Sequence, residues 1–167
     1  VRARHIEFQL LGDGKGQAII LGARECSVQR RHQKLVEECP PFGISEEELN
    51  PILACAKQLG EQLQYRGVGT IESLFDPTHR KFYFLEVNPR LQVEHPITEL
   101  VYGIDLVETQ ILIGRGLGLP NVSHPRGVAI EARIYAEDPT QDFVPTSGEL
   151  IKFRIPAFKI GSGECNN

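Results

Sequence analysis

The sequence of 167 residues contains no methionine, so it does not begin at a start codon of its own and is expected to be cut from something longer. It has no basic head, apolar middle and small-residue cleavage site of the signal-peptide kind. No apolar run approaches the roughly 20 residues that cross a bilayer as a helix, so no membrane partner is expected. The charge balance has no basic excess: the net charge is -4 and the pI is near 5.8. A nucleic-acid partner needs a basic footprint, and none is expected here. Cys26, Cys39, Cys55 and Cys165 never come within CxxC spacing, which excludes a zinc ribbon or a thioredoxin motif. Reduced thiols in an intracellular protein are the expectation. There is no internal repeat and no low-complexity tract. The glycines of Gly12-Asp13-Gly14-Lys15-Gly16 lack Walker spacing and read as a hairpin turn.

What remains is an ordinary globular composition, 41% hydrophobic and 24% charged. Its length suits one domain better than two. His5 to Leu11 alternates, with Ile6, Phe8 and Leu10 on one face and His5, Glu7 and Gln9 on the other, as a half-buried strand does. Ala18 to Gly22 pairs back on it. A polar, basic stretch follows from Arg24 to Lys34 and then a loop at Pro40-Pro41. Ser45 with Glu48 has capping-box spacing, and Asn50-Pro51 offers a competing helix start. Ile52, Leu53, Ala56, Leu59 and Leu63 then recur at helical spacing, with the end expected near Tyr65-Arg66-Gly67. Strands are expected over 68–75 and 81–88, a second helix from Asp105 to Gly114 or Gly116, and further strands over 128–137 and 150–155. Mixed helices and hairpins point to the α+β class rather than a doubly wound parallel sheet.

The most informative region is the hairpin of 68–75 and 81–88. With its loop centred at residue 79, Glu72 faces Glu86 and Leu74 faces Phe84. Directly opposed carboxylates repel. A divalent cation between them removes the repulsion, and Glu72, Glu86 and the Asn88 carbonyl form an oxygen set suited to Mg²⁺ or Mn²⁺. The plainer alternative is a solvated strand face in another register. If the backbone stays extended beyond Asn88, then Arg90, Gln92 and Glu94 continue that face. An Arg there can hold a small oxyanion bidentately, and a nearby Glu can act as a base. A salt-bridged loop is the alternative. Arg30, Arg31 and Lys34 make a second cationic patch, suited to phosphate or bicarbonate or else simply solvated. Arg133, on one face with Glu131 and Tyr135, and His5 read by themselves as structural.

Three runs carry a family resemblance: Gln29-Arg30-Arg31-His32-Gln33-Lys34, Phe84 through Pro96, and Glu131-Ala132-Arg133-Ile134. They resemble the biotin carboxylase family of ATP-grasp ligases, over about Ala3 to Ile155. The stretches 10–23, 82–98 and 131–137 look most like urea carboxylase within it. The resemblance implies the distal part of an ATP-grasp domain over 1–127, the start of the biotin carboxylase C-terminal domain over 128–156, and an atypical tail over 157–167. It implies ATP-dependent carboxylation of carrier-bound biotin, with bicarbonate as substrate, carboxyphosphate as intermediate, and Mg²⁺ or Mn²⁺. Glu72, Glu86 and Asn88 resemble the metal and phosphate positions. Arg90 resembles the arginine that holds bicarbonate and carboxyphosphate, with Gln92 and the Val93 backbone as further bicarbonate contacts. Glu94 resembles the base, Lys34 the cation facing bicarbonate and the γ-phosphate, and Arg133 the residue that stabilises the biotin enolate. His5, Gln29, His32 and Leu74 resemble nucleotide contacts.

The implied partners are a biotin carboxyl carrier domain, a carboxyltransferase component and further copies of the full-length enzyme, in the cytoplasm or the mitochondrion. Pro89 departs from the family's usual Thr and removes a backbone donor. The family's N-terminal domain, its glycine-rich lid and its phosphate-gripping lysines have no counterpart in these residues. The chain alone is therefore expected to be inactive. A non-catalytic product that occupies a partner's interface is the competing reading. Another ATP-grasp ligase is disfavoured by Arg90, Gln92 and Glu94 occurring together.

Overall fold

A computed structural model describes residues 3–154, 159–160 and 163–164. The chain divides into two compact units, Val1–Arg133 and Ile134–Asn167. In the first, β1 (Arg4–Asp13), β2 (Ala18–Arg30), β3 (Gln33–Cys39), β4 (Arg66–Asp76), β5 (Lys81–Asn88) and β6 (Ala129–Ala132) form one antiparallel sheet in the order β5-β4-β1-β2-β3-β6. Helix α1 (Glu46–Gln62) packs on β1 and β2. Helices α2 (His95–Tyr102) and α3 (Leu106–Gly114) contact the sheet through β2, β3, β6 and β4. The expected α+β class is what the fold shows.

The central position of β1 decides where the site lies. Ile6, Phe8 and Leu10 join Leu49, Ala56 and Phe75 in one core cluster, while Leu11 joins Leu21, Val68 and Leu106 in another. Both faces of β1 are therefore buried. The half-buried strand expected at His5–Leu11 is instead fully covered, and Glu7 and Gln9 have no exposed surface.

Helix α1 starts at Ser45 rather than at Asn50. Ser45 and Glu48 close the reciprocal capping box, and Ile44 and Leu49 sit in the same cluster as a hydrophobic staple. The capping box and the burial of Leu49 outweigh the backbone hydrogen bond lost at Pro51 inside the helix. The helix ends at Gln62, before the expected stop. Asp105 caps α3 by accepting from the Glu108 backbone N–H at 2.7 Å.

Three expectations are corrected. First, β2 does not stop at Gly22. It runs on to Arg30 and returns as β3 through the two-residue turn Arg31-His32, where both φ are positive, 51° and 65°, as a tight hairpin requires. Second, the strand expected over 128–137 ends at Ala132; Glu137–Asp138 (β7) pairs with Val144–Pro145 (β8) within the second unit. Third, residues 150–154 are exposed and form no strand, and Ile155 lies outside the described residues. Most of the 157–167 tail also lies outside them; its described pieces, β9 (Lys159–Ile160) and β10 (Gly163–Glu164), pair as a short ribbon. Among the described cysteines, Cys26, Cys39 and Cys55 are free. No helix among the described residues is long and apolar enough to cross a membrane.

One glycine fixes how β1 meets the end of α1. A Cβ added at Gly12 would lie 2.1 Å from the Tyr65 carbonyl oxygen, which already accepts from Gly14 at 2.8 Å. Backbone on both sides leaves little room to yield. Gly12→Ala is expected to cost about 3 kcal/mol, read as a lower urea midpoint of the chain with an unchanged slope.

Candidate active site

Strand register lays four ionic groups side by side. Glu86 pairs with Glu72, Glu72 with Glu7, and Glu7 with Arg24, across β5, β4, β1 and β2. The expected Glu72–Glu86 pairing is present. Leu74, however, pairs with Tyr83, and Ser73 takes Phe84, because the register shifts between Glu72 and Ser73. A second irregularity, between Phe8 and Gln9, brings Arg24 opposite Glu7.

Three neighbouring carboxylates need cations. Arg24, with no exposed surface, donates from Nε to Glu7 Oε1 at 2.8 Å. Lys34 Nζ donates to Glu7 Oε2 at 2.6 Å, to Glu94 Oε1 at 2.5 Å and to Glu72 Oε1 at 3.4 Å. Arg133 joins Glu37 Oε1 at 2.7 Å to Glu94 Oε2 at 2.8 Å. Burial opposes ionisation of Glu7, but Arg24 and Lys34 outweigh it and hold the carboxyl at about 2. Burial likewise opposes charge on Lys34, and Glu7 outweighs it, so the amine is held above its ordinary range. Glu72 is also held at about 2, against burial, by His5, Gln92 and Lys34. Burial pushes Glu37 and its cross-strand neighbour Glu131 upward.

The strand end at Asn88 completes the group. Its Nδ2 donates to Glu72 Oε1 at 2.9 Å and to Glu86 Oε1 at 3.0 Å. The backbone then turns instead of staying extended: Arg90 N–H donates to the Asn88 carbonyl, and α2 starts at His95. The turn separates residues that an extended run would align. Gln92 and Glu94 are buried, and Gln92 Nε2 reaches Glu72 Oε1 at 2.9 Å. Arg90 and Val93 are exposed. Arg90 Nη1 donates to the Leu91 carbonyl at 3.2 Å, and the residue lines a separate cleft of about 390 Å³ with Tyr65, Arg66 and Gln110.

Beside this network lies a cavity of about 380 Å³ lined by His5, Ser27, Gln29, His32, Leu74 and Leu85, with Ala3. It gathers His5, Gln29, His32 and Leu74, the four positions that resemble the family's nucleotide contacts. His5 links the two regions: its Nδ1 is 2.8 Å from Gln29 Nε2 and its Nε2 is 2.7 Å from Glu72 Oε2.

Sequence reasoning missed Glu7, Arg24, Glu37 and Leu85. Glu7 was visible only as part of a polar strand face, and that pattern does not say whether water or protein covers it.

Among the described bonds, the network joins the carboxylates of Glu7, Glu37, Glu72, Glu86 and Glu94 to Arg24, Lys34 and Arg133. Two groups, His5–Glu7–Glu72 and Glu7–Cys26–Glu94, bring ligand atoms within 4.8 Å of one another. Both include Glu7, whose oxygens already serve Arg24 and Lys34, so a metal there would displace a cation. The Glu72, Glu86 and Asn88 set is brought together with an exposed side at Glu86, but Asn88 turns its Nδ2 to both carboxylates and Glu72 is also engaged by His5, Gln92 and Lys34, so a hard divalent cation there requires the Asn88 amide to turn its oxygen inward.

Residues 1–122 match the family of the carbamoyl-phosphate synthase L chain, ATP binding domain. The chain is 48% identical to the urea amidolyase of Saccharomyces cerevisiae over 158 residues, 92% of this chain and 9% of that protein. It is 49% identical to the biotin carboxylase of Allochromatium vinosum over 156 residues, 92% of this chain and 34% of that protein. The biotin carboxylase domain of Hydrogenobacter thermophilus 2-oxoglutarate carboxylase, solved with MgADP, ADP and bicarbonate, superposes with a TM-score of 0.89 at 39% identity, covering 95% of this chain and 35% of that one. The chain thus spans about a third or less of the length of these relatives.

Proposed function

The chain belongs to the carbamoyl-phosphate synthase L chain ATP-binding family, in its biotin carboxylase branch, and we propose that it supplies the bicarbonate and metal side of an ATP-dependent biotin carboxylase. The observation that carries this reading is the juxtaposition of the His5, Gln29, His32 and Leu74 cavity with the Lys34, Glu94 and Arg133 ion network. One can take a nucleotide base and sugar; the other can take an anion and its proton.

In this reading Leu74 and Leu85 form apolar wall against adenine, and His5, Gln29 and His32 supply polar contacts to the nucleotide. Glu72, Glu86 and Asn88 would hold Mg²⁺ or Mn²⁺, which would neutralise phosphate charge. Lys34 holds bicarbonate against the γ-phosphate, with Gln92 and the Val93 backbone as further contacts. Glu94, between Lys34 and Arg133, takes the bicarbonate proton. The freed oxygen attacks the γ-phosphorus and displaces ADP to give carboxyphosphate. Arg90 turns from the Leu91 carbonyl to hold that anion. Carboxyphosphate splits to CO₂ and phosphate, the phosphate takes the proton from biotin N1, and Arg133 stabilises the resulting biotin enolate while N1 attacks CO₂. The partners are a biotin carboxyl carrier domain, a carboxyltransferase component and further copies of the enzyme. The match to urea amidolyase supports urea as one final acceptor, and the proposed compartment is the cytoplasm or the mitochondrion.

The test is a chimera in which this chain replaces the matching segment of the Allochromatium vinosum biotin carboxylase. It is expected to carboxylate free biotin with ATP and bicarbonate, while the 167-residue chain alone releases no phosphate because the opposing side of the phosphate clamp is missing. Glu86→Gln in the chimera is expected to weaken Mg²⁺–ATP binding by titration calorimetry. A folded chimera without bicarbonate-dependent ATP cleavage would overturn the proposal.

A further inference from the structure

Arg24 is the largest described side chain with no exposed surface, and its guanidinium reaches four side chains on three elements. On β1 it donates to Glu7 Oε1 at 2.8 Å and to Gln9 Oε1 at 2.6 Å. On α2 it donates to Thr98 Oγ1 at 2.9 Å, and on β4 to Thr70 Oγ1 at 3.3 Å. Gln9 passes the connection on, donating from Nε2 to the Gly69 carbonyl at 2.6 Å. None of these groups is among the residues that the reaction requires to touch substrate.

Two of the contacts bear on Lys34. Glu7 offers one oxygen to Arg24 and the other to Lys34, so the guanidinium fixes the carboxylate plane that aims the amine. Thr98 lies in the first turn of α2, and Glu94 is the N-cap of that helix. Holding Thr98 therefore holds Glu94, a second carboxylate that Lys34 meets. A second tie, from the Gly22 backbone N–H to the Tyr102 hydroxyl at 2.7 Å, anchors the far end of α2 to the same strand, β2. The fork geometry is needed: a planar guanidinium serves Glu7, Gln9 and Thr98 at once from fixed directions, which a lysine ammonium on a flexible stem does not.

We propose that Arg24 is the positioning residue of the site: by clamping Glu7 and α2 together it sets where Lys34 and Glu94 stand, and so controls capture of the bicarbonate anion without touching it. The proposal rests on the carboxylation reading given above. It separates the two halves of the site, because His5, Gln29, His32 and Leu74 make no contact with Arg24 among its described bonds.

In the chimera, Arg24→Lys is expected to lower kcat/KM for bicarbonate about 100-fold, the effect of moving reacting groups by about 1 Å. KM for ATP is expected to stay unchanged. Glu7→Gln is expected to reproduce the defect, and the double variant to be no worse than either single one, since both act through one contact. Thr98→Val cuts only the α2 arm, keeps the buried ion pair and is the variant that decides if Arg24→Lys does not fold. It is expected to raise KM for bicarbonate selectively.

A second readout needs no turnover. In the lysine-labelled 167-residue chain, the Lys34 amine resonance is expected to move in Arg24→Lys and in Thr98→Val, while that of exposed Lys57 stays fixed. If the unsubstituted chimera is folded but inactive, the carboxylation reading fails, and the Lys34 resonance alone decides the clamp. Equal losses for ATP and bicarbonate would reduce Arg24 to a core residue and overturn the proposal. An unmoved Lys34 resonance with unchanged bicarbonate kinetics would do the same.

Discussion

Glu94→Gln in the chimera is expected to lower the rate of biotin carboxylation by about 10²- to 10⁴-fold, the contribution typical of a positioned base. The side chain is 2% exposed and lies between Lys34 Nζ at 2.5 Å and Arg133 Nη2 at 2.8 Å. A carboxamide of the same shape fills that space and still accepts one hydrogen bond. It cannot take a proton, and it presents an NH₂ to one of two cations that both need an acceptor. The loss should appear in kcat. KM for ATP should not change, because the nucleotide cavity is lined by other residues. Steady-state kinetics with bicarbonate varied at saturating ATP separates these parameters. A near-normal kcat would remove Glu94 from the proton-transfer step and leave it as a tether for Lys34 and Arg133.

The parts of this site legible in the sequence were those fixed by local pairing. Glu72 was placed against Glu86 by counting from a loop centre at residue 79, but the pairs next to the loop, from Asp76–Lys81 to Leu74–Tyr83, stand one residue off that count, and the shift between Glu72 and Ser73 is what brings Glu86 opposite Glu72. Counting from a loop gives no warning of such an irregularity. Arg24 was illegible for the same reason. The turn at residues 14–17 taken alone aligns Glu7 with Ala23, and only the shift between Phe8 and Gln9 supplies Arg24. Its place in a charged run also suggested a solvated face, because linear charge density carries no information about which strand lies in the middle of a sheet. Helix α2 had signals at both ends, Pro96 in its first turn and Gly103 in the left-handed conformation after its last. They were outweighed by the dense polar run before them, which read as a continuing strand. The turn they mark buries Glu94 and leaves Arg90 and Val93 exposed.

Lys34→Met is expected to remove about 3–5 kcal/mol of stability, the cost of taking one partner from a buried ion pair, as well as bicarbonate-dependent activity. Methionine matches the length of the stem, so lost packing contributes little. The loss is electrostatic: Glu7 Oε2 and Glu94 Oε1 lose their donor, and Glu7 has no route to water. Arg24 and Arg133 each still hold one oxygen of those carboxylates, so the fold weakens without losing the whole network. The pH response identifies the cause. Glu7 is held at about 2 in the folded chain against 4.5 ordinarily, with burial opposing and Arg24 and Lys34 favouring ionisation. Its folded value is depressed, so its stabilisation is present above 4.5 and lost as pH falls through about 2. Without Lys34 the folded value rises, and the acid loss in Lys34→Met moves to higher pH. Adding Glu7→Gln takes the carboxylate from Arg24, which has no exposed surface, so the double variant is expected to be no more stable than Lys34→Met and to remain inactive. Urea denaturation across the acid range reads all three chains. A loss in Lys34→Met that does not change with pH would mean that the cost lies in packing around residue 34 and not in the charge beneath it.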